Sequence, residues 1–401
     1  MISYFKNFHR IVWIQAVGHA VTSFVSIILL PFLTLYLYGQ FEENIVIATL
    51  IIGIQPLTEI LFTFLLGGWI DRIGRRPIIL VSLVFQIIAI GGFAFAEHIW
   101  LFALFAFLNG IGRFVYIPAA RAQIADIIPV TKQAETFAIV NTASSIGALG
   151  GPIVGAVLFE YNQELLFLMM AGLILVYLLI AIAFLPESNP ATMEKSHHIK
   201  FKLKNHKLLF WFAVGMLPLS FFHAQMETNW PVYLQENLVN YLVVFSLLET
   251  IGTIIFIVFE VYLINRTSSF SASFMVQVGY GLYAFSAIGF GVFQHIIGFI
   301  VSQVLFCLGS IVVLNHMQRV VSEIAPVHHK GRYFALFGLH WDISRSIGPL
   351  IGSGLLSVLG GGNLFIVVSL LIVLGFFSQT KAFTSKGGQP SILLEKSSKS
   401  T

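Results

Sequence analysis

Twelve apolar stretches, each of about 20 residues or more, follow one another along this chain with short polar interruptions. They run approximately over 11–38, 45–70, 77–96, 99–122, 134–159, 164–185, 208–234, 239–264, 270–293, 296–318, 333–359 and 363–383. Pro129, Pro186, Asn265 and Gly360-Gly361-Gly362 mark breaks. Hydrocarbon offers no hydrogen-bond partner to a peptide group, so each stretch must satisfy its own backbone as a helix. Charged residues make up 10% of the chain, against about 25% in a soluble protein. Mean hydropathy is +0.88, and 39 phenylalanines suit a large lipid-facing surface. Lipid is therefore the expected solvent for most of the 401 residues.

The charges sit where a membrane would put them. With both termini inside, the inner segments hold Lys6, Arg10, Arg72, Arg75, Arg76, Arg121, Lys132, the run Lys195 to Lys207, Arg266, Arg319, Lys330, Arg332 and the tail lysines. The outer loops hold Glu42, Glu43, Glu97, Glu160, Glu164 and Glu236, with no Lys or Arg. This is the asymmetry expected of a multi-pass protein of the plasma membrane with cytoplasmic termini. A net charge of +4 distributed in this way gives no nucleic-acid surface. Cys307 is the sole cysteine, which excludes an internal disulfide. The first apolar run is too long for a signal peptide and lacks a clear cleavage site. Residues 1–10 read as an interfacial anchor.

The chain also carries an internal copy. Gly151, Pro152, Gly155 and Leu158 recur 197 residues later as Gly348, Pro349, Gly352 and Leu355. Asp126, Pro129 and Phe137 recur, with one change of acid, as Glu323, Pro326 and Phe334. The expected organisation is a six-helix bundle over 1–185, a basic cytoplasmic linker over 186–207, a second six-helix bundle over 208–383 and a disordered tail over 384–401. Two pseudo-symmetric bundles of this kind are an architecture of secondary transporters.

Two motifs sharpen this. After the second stretch comes Gly67-Gly68-Trp69-Ile70-Asp71-Arg72-Ile73-Gly74-Arg75-Arg76. Its glycines allow a tight turn, and its acid can cap a helix or pair with the arginines. It resembles the loop signature of the major facilitator superfamily, G-x-L-A-D-R-x-G-R-K, with departures at Trp69 and Ile70. The resemblance implies a conformational latch made of Gly67, Asp71, Arg72, Gly74, Arg75 and Arg76, with Asp126 as the partner of Arg75. The matching loop of the second half keeps only Asn265-Arg266. The fifth stretch carries Gly147, Gly151, Pro152 and Gly155. This is similar to G-x-x-x-G-P-x-x-G, the signature of proton-exchanging exporters in that superfamily. Small residues there let helices pack closely, and the proline permits a bend. One family feature is absent: Ala106 stands where such exporters carry a fourth-span arginine, and Arg113 appears two turns later.

Polar residues inside apolar stretches are costly and tend to face a cavity or a partner. The first stretch aligns Gln15, His19, Thr22, Ser23 and Ser26; the fourth aligns Asn109, Arg113, Tyr116 and Gln123; the seventh aligns Ser220, His223, Glu227 and Trp230. The tenth offers Gln303, Cys307 and Ser310. By the resemblance these four stretches line a central cavity. Glu59, on the second stretch with Gln55, reads as a proton carrier, as a permanently protonated acid or as the ion-pair partner of Arg113. Glu227 and Glu249 read as a shared proton or cation site, or as separate structural groups. Asp342 and Arg345 stand one turn apart on the eleventh stretch and either neutralise each other or leave Arg345 to bind an anionic group together with Arg113.

The reading is a proton-driven, twelve-span multidrug/proton antiporter-like exporter of a small amphipathic, cationic or zwitterionic molecule. Proton-coupled uptake by a symporter and lipid or glycolipid flipping are alternatives on the same fold. No cofactor, no metal site and no enzyme activity are expected: the histidine pairs 197–198 and 328–329 are not chelating sets, and no Walker loop or nucleophile–base constellation is present. The protein is expected to be a monomer, with protons, a small-molecule substrate and the bilayer as its partners.

Overall fold

A computed structural model describes residues 9–66, 74–188, 207–325 and 330–387. All regular elements among these residues are helices: α1 (Arg10–Gln40), α2 (Ile45–Leu66), α3 (Arg75–Phe93), α4 (Ile99–Ile127), α5 (Val130–Tyr161), α6 (Gln163–Phe184), α7 (Lys207–Glu227), α8 (Asn229–Asn237), α9 (Tyr241–Thr267), α10 (Ala272–Val292), α11 (Ile296–Ile324), α12 (Lys330–Leu359) and α13 (Gly361–Gly387). Eleven are long and apolar enough to cross a membrane. The helix of the eleventh predicted span, α12, is outside that set. Its 30 residues would reach about 45 Å, but His340, Asp342 and Arg345 dilute its apolar character.

Local signals set several helix ends. Asn162 accepts the Leu165 amide at 2.7 Å and His295 accepts that of Gly298 at 3.1 Å, each capping the following helix. Gly74 and Gly360, at φ +99° and +83°, turn the chain into α3 and between α12 and α13. Several boundaries differ from the sequence reading; α13 runs on to Gly387, into the stretch expected to be a disordered tail. The seventh stretch is broken at Thr228 into α7 and α8, and Asn265 lies inside α9 rather than at a break. At Asn265 the helix continues because the carbonyls ahead are still bonded; Thr267 Oγ1 donates to Leu263 O at 2.8 Å.

The chain divides into two compact units. The first comprises Met1–His198, Ala224–Ile254 and Arg345–Val358; the second comprises Ile199–His223, Ile255–Ser344 and Leu359–Thr401. These units do not coincide with the sequence halves. The reason is visible at the end of the first unit that carries Glu42, Glu160 and Glu236, its acidic end. There Tyr38 donates to Glu236 Oε1 at 2.7 Å, Thr49 donates to Ser353 Oγ at 2.8 Å, and Phe32 meets Phe245 edge-on. In the first unit α1 packs along α5, and α3 packs on α4 and α6. Tyr36, Phe93, Phe102 and Phe167 form its aromatic core. In the second unit α10 packs on α11 and α13, around Phe222, Tyr283, Phe290, Phe306 and Phe365.

Both copies of the glycine–proline repeat lie at tight helix crossings within the first unit. A methyl group at Gly147 would strike the Ala20 carbonyl, and one at Gly155 would come within 2.6 Å of the Phe32 ring, both on α1. In the second copy, a methyl at Gly352 would strike Gln225 and come within 2.6 Å of Asn229. Those side chains also hold the copied motif from outside: Gln225 donates to Gly348 O at 3.0 Å, and Asn229 to Pro349 O at 3.1 Å. The two crossings are related as the sequence repeat is, but one is apolar and the other is hydrogen-bonded.

Gly147→Ala is expected to destabilise the protein by about 1–3 kcal/mol, because the obstacle is backbone that cannot rotate away. Gly172→Ala, where open space surrounds the glycine, is the control. Thermal midpoints in detergent check this: the first variant should fall, and the second should hold or rise slightly, since alanine is the better helix former.

Candidate functional site

Three helices converge on one ion pair in the first unit. Arg113 of α4 lies 3.3 Å from Glu59 of α2, with both side chains about three-quarters buried. Arg113 also donates to Ser26 of α1 at 2.6 Å. Gln55, one turn from Glu59, donates to its Oε1 at 3.1 Å and accepts from Asn109 at 2.7 Å. Gly110 makes room for this chain, since a side chain there would press on the Gln55 carbonyl and Thr58. The geometry pairs Glu59 with Arg113, one of the arrangements the sequence leaves open.

Beside the pair is a cavity of ≈ 80 Å³ lined by His19, Thr22, Ser23, Ser26, Gln86, Arg113, Tyr116 and Ile117. His19 Nε2 and Gln86 Nε2 are buried there without a protein partner among the described residues. A void of this size and polarity has room for a few waters, at about 30 Å³ each. Tyr116 closes one side, with its hydroxyl 3.4 Å from that of Tyr177 on α6.

Other candidate residues are placed differently. Gln15 is fully buried and bonded to Gln123 at 2.6 Å, and Gln123 in turn reaches the Pro186 carbonyl at 2.7 Å. Asn109 is likewise fully enclosed and serves Gln55. Trp230 is completely buried against Tyr233 rather than facing an open chamber. His223 and Trp230 belong to different helices, separated by the break at Thr228.

A second ion pair joins α7 to α12. Arg345 Nη2 donates to Glu227 Oε1 at 2.7 Å. Glu249 of α9 feels the Glu227 charge, so two carboxyls and one guanidinium share this region. Asp342 stands one turn before Arg345.

In the second unit His223 forms the centre of a separate group. Its Nε2 lies 2.8 Å from the Tyr283 hydroxyl and 3.4 Å from Ser310 Oγ, and its ring packs on Phe306 and Trp341. His340 bonds Ser220 and stacks near Phe337 and Trp341. Tyr283, Trp341 and Gln86 were not among the sequence candidates. Gln86 stands alone in an apolar run and could have been flagged on that ground; tyrosine and tryptophan are common at helix ends and give no such signal.

At the basic end of the first unit Arg75 is 3.3 Å from Asp126, which also accepts from Ser188 at 3.2 Å. Arg76 donates to the Ile182 carbonyl at 2.7 Å, and Gly74 lies against Glu187. Gly67, Asp71 and Arg72 lie outside the described residues.

Removing one partner of a mostly buried pair leaves the other charge uncompensated. Arg113→Gln is therefore expected to cost about 1–3 kcal/mol, more than the double variant Glu59→Gln/Arg113→Gln costs. Denaturation midpoints of the two single variants and the double variant, compared as a cycle, check the sign of the coupling.

Comparison with known proteins places this geometry. The model of the Major Facilitator Superfamily matches residues 16–349. An uncharacterized MFS-type transporter, YhjO of Bacillus subtilis, is 34% identical over 90% of this chain and 90% of its own length. A Na(+), Li(+), K(+)/H(+) antiporter of Planococcus maritimus is 25% identical over 93% of this chain and 95% of its own. A multi-drug resistance efflux pump PmrA homolog of Lactococcus lactis is 24% identical over 91% and 94%. Among solved structures, the POT family transporter PepTSo superimposes with a TM-score of 0.79 at 14% identity, covering 96% of this chain and 99% of that one. The chain is an integral membrane transporter, not an enzyme, and it belongs to the Major Facilitator Superfamily.

Proposed function

We propose that the protein exports a small amphipathic cation or zwitterion in exchange for protons, by alternating access, across the plasma membrane with both termini in the cytoplasm. The observation that carries this is the Glu59–Arg113 pair set beside a polar cavity within apolar helices. An ionised Glu59 holds Arg113; a protonated Glu59 releases it to its other partner, Ser26, or to a substrate. Proton occupancy is thereby tied to the arrangement of α1, α2 and α4. Glu227, Glu249 and Arg345 form the corresponding charge set of the second half, with two acids for one base. The names of two relatives, an antiporter exchanging alkali cations for protons and a multidrug efflux pump, support exchange and efflux.

The tight α1–α5 crossing at Gly147, Gly151 and Gly155 supports the exporter reading of that motif. Arg75, Arg76 and Asp126 serve as the latch, with Gly67, Asp71 and Arg72 completing it. His19 and Tyr116 contact the substrate from the first half and His223 from the second, with Asp342 and Arg345 supplying charge. The two sequence halves are the moving bundles, and the protein works as a monomer.

Proteoliposomes with an imposed pH gradient test the reading. A screen of cationic, zwitterionic and anionic compounds should return a substrate that moves against its gradient, opposite in direction to the proton. Movement in the same direction as the proton would make the protein a symporter instead. Glu59→Gln is expected to abolish uphill movement while leaving substrate counterflow, which needs no proton. Full uphill transport by this variant would remove Glu59 from the coupling.

A further inference from the structure

In the second unit, the end that carries Lys207, Arg266, Arg319 and Lys381 holds a groove of ≈ 520 Å³, away from every residue assigned above. Lys207 and Trp211 of α7 form one wall, one helical turn apart. Phe377, Lys381 and Ser385 of α13 form the other at the same spacing, with Ser378 beside them. The floor is fixed by packing. Gln379 donates to the Phe212 carbonyl at 2.9 Å, and the Phe212 and Phe383 rings meet at 4.9 Å.

Four observations define what would fit. Lys207 and Lys381 are both exposed, and no acidic side chain among the described residues lines the groove. Neither lysine forms an ion pair among the described residues. Ser378 Oγ is buried without a hydrogen-bond partner among them. Trp211 and Phe377 are 51% and 62% exposed, and Leu374, one turn from Ser378, is 65% exposed, so the groove opens onto an apolar, lipid-facing stripe.

We propose that this groove binds the headgroup of an anionic phospholipid. The two ammonium groups take the phosphate, and the Ser378 hydroxyl is a further donor close by. Trp211 and Phe377 seat the upper part of the acyl chains, at the interfacial depth that aromatic residues favour. A zwitterionic headgroup would bring its own cation against two lysines with no acid to receive it. Free phosphate would gain nothing from the aromatic walls. The lysines are basic-end charges of the kind attracted to anionic leaflets, but here they flank a shaped recess rather than an open surface.

Native mass spectrometry of the full chain in detergent, titrated with dioleoyl phosphatidylglycerol or dioleoyl phosphatidylcholine, tests this. The wild type is expected to retain phosphatidylglycerol at least about tenfold better than phosphatidylcholine. Lys207→Gln/Lys381→Gln should lose that preference, and Lys132→Gln, which removes a basic residue of the first unit, should keep it. Lys207→Arg/Lys381→Arg, which preserves the charges, should also keep it and guards against loss by misfolding. Inorganic phosphate at the same concentration should not displace the lipid. Equal retention of the two lipids, undiminished binding by the glutamine pair, or displacement by phosphate would overturn the proposal.

Discussion

A charge inside hydrocarbon has to be answered by another charge or by a set of oriented dipoles, because the membrane supplies neither. Glu59 and Arg113 answer each other at 3.3 Å, and the neutral side chains around them are arranged to serve that pair. Asn109 bonds Gln55, Gln55 bonds Glu59, and Ser26 takes the second face of the guanidinium. The links join α4 to α2 and α4 to α1, so the electrostatic requirement also fixes how α1, α2 and α4 meet. A transporter can use the same requirement in reverse: neutralising the acid loosens what the ion pair ties together.

The glycine–proline repeat does complementary work with no charge. Gly147 and Gly155 bring α1 and α5 close enough that a methyl group would collide with backbone or ring. In the copied motif the near approach is between α12 and the α7–α8 break, where Gln225 and Asn229 bond the Gly348 and Pro349 carbonyls. One half is thus held by dispersion and the other by hydrogen bonds at equivalent places. The halves share a plan and differ in the stiffness of one crossing.

The polar groups of the second unit have a different character. His223, Tyr283, Ser310 and Trp341 form a compact aromatic and imidazole cluster, whereas the first unit holds the Glu59–Arg113 and Glu227–Arg345 pairs.

Much of this was legible in the residues. Apolar run lengths gave the helices, because only a helix satisfies its own backbone in lipid. The Gly67 to Arg76 string and the fifth-span motif gave the family, and the acid–base inventory narrowed Glu59 to three readings, one of them its pairing with Arg113. What the chain could not disclose by itself was which partner each charge takes and which polar side chains stay enclosed. Arg345 reaches Glu227 across 118 positions, Gln15 vanishes into a bond with Gln123, and Trp230, beyond the helix break at Thr228, is completely buried. Periodicity reports only the face of an unbroken helix. Pairings between helices depend on how closely and in what register those helices pack, and that is settled by the tertiary structure.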